Sequence, residues 1–279
     1  MTEPTKSPAH GDVGAGMPLI FLHGWSVDRS FFAPQLVLAD EGFRIVTPDL
    51  AGHGGRPLGT TPPTIAGLAD DLASRLADLA LPPAVLVGWS MGATVALDLI
   101  ARHGCHGVAG LVIVDMTPKV PNGPDWAYGL SSGQNLADAT KAAERMERDW
   151  LTYAPKIARA MFAPGRPDDD PLILRATECI AARDPQVMAS LWRSLVNADH
   201  RETVKGLPVP VLALAGAESQ LYRPDVAGWI AAHAPVGRSA MIAGAGHAPQ
   251  VECSAAFNAD VAAFASDCAG RPISRRPKV

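Results

Sequence analysis

The chain has 279 residues, with 24 Lys and Arg against 28 Asp and Glu and a formal charge of −4. So even a balance gives no broad cationic face for a nucleic-acid backbone or an anionic membrane, and neither is expected as a partner. With 48% hydrophobic and 19% charged residues, the chain has the apolar material for a sizeable core, which excludes disorder of the whole.

Residues 1–16, MTEPTKSPAHGDVGAG, are polar and rich in Pro and Gly, without the apolar core of a secretory signal. They are read as a flexible end with no room for an opening hairpin. No uncharged apolar run reaches the roughly 18 residues of a membrane span, so a soluble, cytoplasmic protein is expected. The first strand is predicted at Leu19–Leu22, followed by Phe43–Thr47, Ala84–Val87, Leu111–Val114, Val209–Ala215 and a weaker Ser239–Ala243. Continuous apolar runs of this length fit strands of a parallel sheet covered on both faces. Helical patterns separate them at Thr64–Leu79, Met91–His103 and Pro224–His233. Strand–helix alternation predicts a doubly wound, mostly parallel α/β sheet of about six strands.

The alternation stops between Val120 and Gly206. Helical patterns recur there at Leu136–Tyr153, Pro155–Phe162, Pro171–Ala182 and Pro185–Val196, with start signals at Asp138, Pro155, Asp170–Pro171 and Asp184–Pro185. The expected organisation is a core of residues 17–119 and 207–268, an inserted helical cap at 120–206, and a second flexible end at 270–279. Cys105, Cys179, Cys253 and Cys268 are far apart, without a C-x-x-C pair, and are read as reduced thiols.

The strand Ala84–Val87 runs into Gly88-Trp89-Ser90-Met91-Gly92 and then into a helix. A serine at such a strand-to-helix turn is strained and exposes its Oγ, which describes a nucleophile elbow. The pattern alone is weak, because Gly129-Leu130-Ser131-Ser132-Gly133 matches it too. That second copy follows Pro124-Asp125-Trp126 and no strand, and is read as a loop. The first strand ends in Leu22-His23-Gly24-Trp25, the second in Pro48-Asp49-Leu50-Ala51-Gly52-His53-Gly54, and the last meets Gly244-Ala245-Gly246-His247-Ala248-Pro249.

In that order, over about residues 17–267, these motifs resemble the α/β-hydrolase family. The resemblance implies a nucleophile at Ser90, a general base at His247, and an oxyanion hole built from the backbone N–H groups of Trp25 and Met91. His23 and His53 are read as loop-shaping hydrogen bonders. The chain departs from the family at the acid. The usual carboxylate lies three residues after the glycine that closes the strand Val209–Ala215, where Gly216-Ala217-Glu218-Ser219 supplies a serine. Two candidates remain: Asp115 at the end of Leu111–Val114, favoured because a strand terminus is rigid, and Glu218, one residue early.

The expected activity is that of a serine hydrolase cleaving a small to medium apolar acyl ester through an acyl-enzyme. The pairs around Trp25 and Trp89 are similar to those of carboxylesterases that cleave acyl-chain methyl esters. Trp126, Tyr128, Met146, Trp150, Tyr153, Met161, Phe162 and Trp192 are candidate pocket walls, about half of them the cap's own core. A cofactor-free dioxygenase, a lactonase or perhydrolase, and a catalytically silent binding protein are the alternatives. No H-E-x-x-H, G-x-x-x-x-G-K-[ST] or G-x-G-x-x-G is present, so no metal or organic cofactor is expected. The sequence gives no oligomeric state.

Overall fold

A computed structural model describes residues 10–270. The expected flexible segments at 1–9 and 271–279 lie outside the described residues. Seven strands form one sheet in the order β1-β3-β2-β4-β5-β6-β7. They are β1 (His10–Gly14), β2 (Met17–Leu22), β3 (Phe43–Pro48), β4 (Ala84–Trp89), β5 (Val108–Val114), β6 (Val211–Gly216) and β7 (Gly237–Ile242). All pairings are parallel except β1 with β3.

β4 and β6 are buried along their whole length and β5 at all but one residue. These are the continuous apolar runs of the sequence; α2 (Met91–His103) packs on β4 and β5 with α1 (Ile65–Leu79) against it, and helices nearer the C-terminus pack on β5 and β6.

The seventh strand, β1, corrects the expectation of about six strands and of a flexible stretch running as far as residue 16. It pairs from His10↔Pro48 to Gly14↔Arg44, and Arg44 grips Asp12 through Nε and Nη2 at 2.9 and 2.7 Å. An edge strand held by a backbone ladder and an ion pair needs no apolar alternation, and Val13 is left exposed. That is why composition gave no sign of it.

Between β5 and β6 the chain forms no strand. It builds α3 (Leu136–Arg148), α4 (Trp150–Ala160), α5 (Pro171–Ala181), α6 (Pro185–Asn197) and the short α7 (Arg201–Lys205). The Asp-Pro starts work as capping chemistry demands. Asp170 accepts from Leu172 N–H at 2.8 Å and Asp184 from Gln186 N–H at 2.8 Å, each cap stabilising its helix by about 1 kcal/mol. Two details differ from expectation. The first helix stops at Arg148 and a new one starts at Trp150, so Pro155 lies within α4 rather than at its start. Asn135, not Asp138, caps α3. After β6 come α8 (Asp225–His233), β7, the four-residue α9 (Pro249–Glu252) and α10 (Ser254–Ala269). Among the described residues no helix is long and apolar enough to cross a membrane.

Candidate active site

β4 ends in Trp89, and Ser90 opens α2 at φ +53° and ψ −124°. Of the four non-glycine residues with positive φ among the described residues, three lie here: Ser26, Ser90 and Asp115. Such strain persists only where the surroundings impose it. Ser90 N–H donates to the Val114 carbonyl at 3.0 Å, and the Ser90 carbonyl accepts from Ala93 N–H at 2.9 Å. The flanking glycines are required by close approach. A Cβ at Gly88 would lie 2.5 Å from Ala93 Cα, and one at Gly92 would lie 2.1 Å from the Leu22 carbonyl oxygen. Ser131 has none of this: it is exposed on a loop where its N–H donates to the Leu221 carbonyl at 2.9 Å.

β5 lies beside β4, so the residue after β5 emerges at the same sheet edge as Ser90. That residue is Asp115, and His247 reaches it from the loop after β7, with Nδ1 2.8 Å from Asp115 Oδ1. Both side chains are buried. A carboxylate only accepts, so the bond puts the proton on Nδ1 and leaves Nε2 as the basic nitrogen. Asp115 is held by two further donors: the Ser219 hydroxyl to Oδ1 at 2.8 Å and Gly216 N–H to Oδ2 at 2.9 Å. Glu218 points from an exposed loop and has no hydrogen bond to His247 among the described residues. The structure therefore brings Asp115, and not Glu218, to the histidine.

The roles of two residues at this site were not recognised from sequence. Ser219, noted there only as a departure from the family, binds the relocated carboxylate. Trp89 is fully buried and donates its indole N–H to the His247 carbonyl at 2.6 Å, so the residue before Ser90 clamps the loop that carries His247. A buried tryptophan needs a partner for its N–H, and here the partner comes from a distant loop.

The turn His23-Gly24-Trp25 lies over the elbow, where a Cβ on Gly24 would come within 3.4 Å of Ser90 Cβ and 3.5 Å of the Trp89 ring. Among the described residues, neither the Trp25 nor the Met91 amide N–H is taken by a protein acceptor. Met91 N–H is one of the first-turn donors of α2, which have no carbonyl four residues back inside the helix. The Trp25 ring sits 5.6 Å from Trp150 and 5.5 Å from Trp192, and its Nε1–H donates to the Met188 carbonyl at 3.0 Å. The helical insert thus walls the Trp25 side with aromatics. Trp126 and Tyr128 instead pack toward Trp229 of α8.

His23 and His53 shape the loops. His23 Nε2 accepts from Leu50 N–H at 3.0 Å while its Nδ1–H donates to the Gly24 carbonyl at 2.9 Å. His53 Nε2 accepts from Ser26 N–H at 3.3 Å, fixing the residue after Trp25. Burial holds both imidazoles below their ordinary range, His53 far below, with the nearby His23 adding to the effect. Below the ordinary imidazole range, about 6.5, the unfolded chain takes up these protons and the folded chain does not. Stability is therefore full above that range and lost as pH falls. The unfolding midpoint measured by circular dichroism should drop between pH 7 and pH 5. A midpoint that stays level or rises over that interval would show that these rings are not held neutral.

Comparison with known proteins shows the family. The model of the alpha/beta hydrolase family matches residues 19–260. Two pimeloyl-[acyl-carrier protein] methyl ester esterases are similar along most of their length. That of Aromatoleum aromaticum is 29% identical over 238 residues, 83% of this chain and 91% of the relative. That of Stenotrophomonas maltophilia is 31% identical over 247 residues, 86% and 90% of the two chains. The solved esterase of Exiguobacterium antarcticum superposes with a TM-score of 0.84 at 21% identity, covering 92% of this chain and 94% of that one, a likeness of fold. The chain belongs to the alpha/beta hydrolase family and is a carboxylic ester hydrolase.

Proposed function

We propose that the protein hydrolyses medium-length acyl esters by a serine mechanism. Ser90 Oγ attacks the ester carbonyl, and His247 Nε2 takes its proton and returns it to the leaving alcohol. Asp115 holds the Nδ1–H tautomer and stabilises the imidazolium. The Trp25 and Met91 amides receive the oxyanion, each such donor lowering the barrier by about 3 kcal/mol. Water then releases the acid by the same proton path. The observation that carries this reading is the His247–Asp115 pair, at 2.8 Å, with Asp115 following β5 and a serine at positive φ following its neighbour β4.

The helical insert of residues 120–206 acts as the cap, and the rings of Trp150 and Trp192 against Trp25 form its contribution to an apolar acyl channel. The names of the relatives point to a methyl ester on an acyl chain, whose leaving group, methanol, fits beside a buried serine with least demand for space. A cytoplasmic setting agrees with four cysteines that are all free thiols.

The test is a series of p-nitrophenyl esters from acetate to laurate, run beside methyl esters of dicarboxylic acids, a lactone and an amide. We expect kcat/KM to peak at medium chains, about tenfold above acetate and laurate, as buried methylenes discriminate, with methyl esters turned over and the amide not. Preference for the lactone, or oxygen uptake with heteroaromatic compounds in place of ester cleavage, would overturn it.

A further inference from the structure

Glu252 closes α9, the short helix that follows His247, and its side chain is wholly buried. The mechanism above gives it no part, yet every contact it makes is directed. Oε2 accepts from Gly246 N–H at 2.8 Å, the amide immediately before His247. Oε1 accepts from Ala163 N–H at 2.8 Å and from Arg166 Nε–H at 3.3 Å, both in the helical insert just past α4. Arg166 is steadied in turn by Asp170, at 2.8 Å. The two segments touch at backbone level: a methyl group on Gly246 would lie 2.4 Å from Ala163 N. A second tie runs alongside, from Gln220 Nε2–H to the Phe162 carbonyl at 2.7 Å, out of the loop that carries Ser219.

A carboxylate is the one side chain that can take two backbone N–H groups on its two oxygens and a guanidinium as well, because it presents acceptors only. An amide of the same size would turn an NH2 toward one of the two backbone N–H donors. The arrangement therefore selects for Glu by its acceptor count and not by its volume. It also joins two parts of the chain that the reaction needs in register: the loop that aims the imidazole, and the insert that covers the acyl group.

Resting on the assignment of His247 as the base, we propose that Glu252 is a positioning residue that fastens the His247 loop to the insert, so that the insert's seating sets the aim of the imidazole. It touches neither substrate nor reacting atoms. Its loss should appear as slower chemistry with little change in binding, since small misplacements of a reacting group can cost up to about a hundredfold.

The experiment compares Glu252→Gln and Arg166→Gln with wild type and with His247→Ala, each measured well below its own unfolding midpoint and expressed per folded molecule. The readouts are kcat and KM on one p-nitrophenyl ester and the rate of fluorophosphonate labelling. Glu252→Gln should lower kcat and the labelling rate together by about thirtyfold with KM within about twofold. Arg166→Gln keeps both amide bonds and should lower them about threefold. If Glu252→Gln does not fold, Arg166→Gln decides, and wild-type turnover in it would overturn the proposal. A folded Glu252→Gln with wild-type kcat, or with a loss confined to its unfolding midpoint or to KM, would overturn it too. Labelling at the wild-type rate in His247→Ala would instead remove the assignment of His247 as base, a failure separate from that of Glu252.

Discussion

Ser90→Ala should lower kcat for ester hydrolysis by about 10⁶-fold while leaving the unfolding midpoint unchanged or slightly raised. The size follows from Ser90 being the only source of the attacking electron pair in the proposed mechanism. The stability expectation follows from its backbone. Ser90 is held at φ +53° by its neighbours and has no side-chain capping bond to lose, so removing Oγ deletes chemistry and almost no packing. Ser131→Ala is the matched control, because that serine stands in an equivalent G-x-S-x-G string on an exposed loop and should keep full activity. Steady-state rates on one p-nitrophenyl ester check both. Activity surviving in Ser90→Ala, or disappearing in Ser131→Ala, would remove the elbow from the mechanism.

Asp115→Asn should cost about 10⁴ in kcat, the scale seen when an amide replaces the carboxylate that orients a catalytic imidazole. The amide can face its NH2 toward Nδ1–H, favouring the wrong tautomer, and it cannot stabilise the imidazolium. The backbone is not the cause of any loss, since Asn tolerates the left-handed region that Asp115 occupies at φ +43°. Glu218→Gln should cost less than about tenfold, as an exposed loop change. Ser219→Ala falls between them in mechanism: it removes one of the two donors on Oδ1 but leaves the His247 contact, and should slow turnover about tenfold, the worth of one hydrogen bond to a charged group. Rates are compared per folded molecule, after unfolding midpoints are measured. Should Glu218→Gln be the crippled variant, the acid lies in the loop after Gly216.

The parts of this molecule that sequence reveals are those whose causes are local. β4, β5 and β6 are legible because strands buried on both faces must be apolar throughout, and α5 and α6 because Asp-Pro writes a helix start in two residues. Ser90 is legible for the same reason: strand, turn glycines and helix adjoin within a dozen positions. The partner of His247 was legible as a preference for Asp115 over Glu218 and no more, because the pairing spans 132 positions and depends on β5 lying next to β4 in the sheet order. β1 left no trace because an edge ladder is made of backbone, and an exposed Val13 carries no period. Trp89 to the His247 carbonyl and Glu252 to Ala163 are single long-range bonds, across 158 and 89 positions. No pattern in the chain announces them, since each depends on how separate loops come to rest on one another.

In the proposed mechanism Ser90, aided by His247, is the nucleophile. This is tested most directly by treating the wild-type protein with a fluorophosphonate and locating the adduct by peptide mass spectrometry. One adduct per chain, on Ser90, should form as ester hydrolysis is lost and should be absent from Ser90→Ala. Complete inhibition with the adduct on any other residue, or sustained hydrolysis by a chain fully labelled on Ser90, would contradict it.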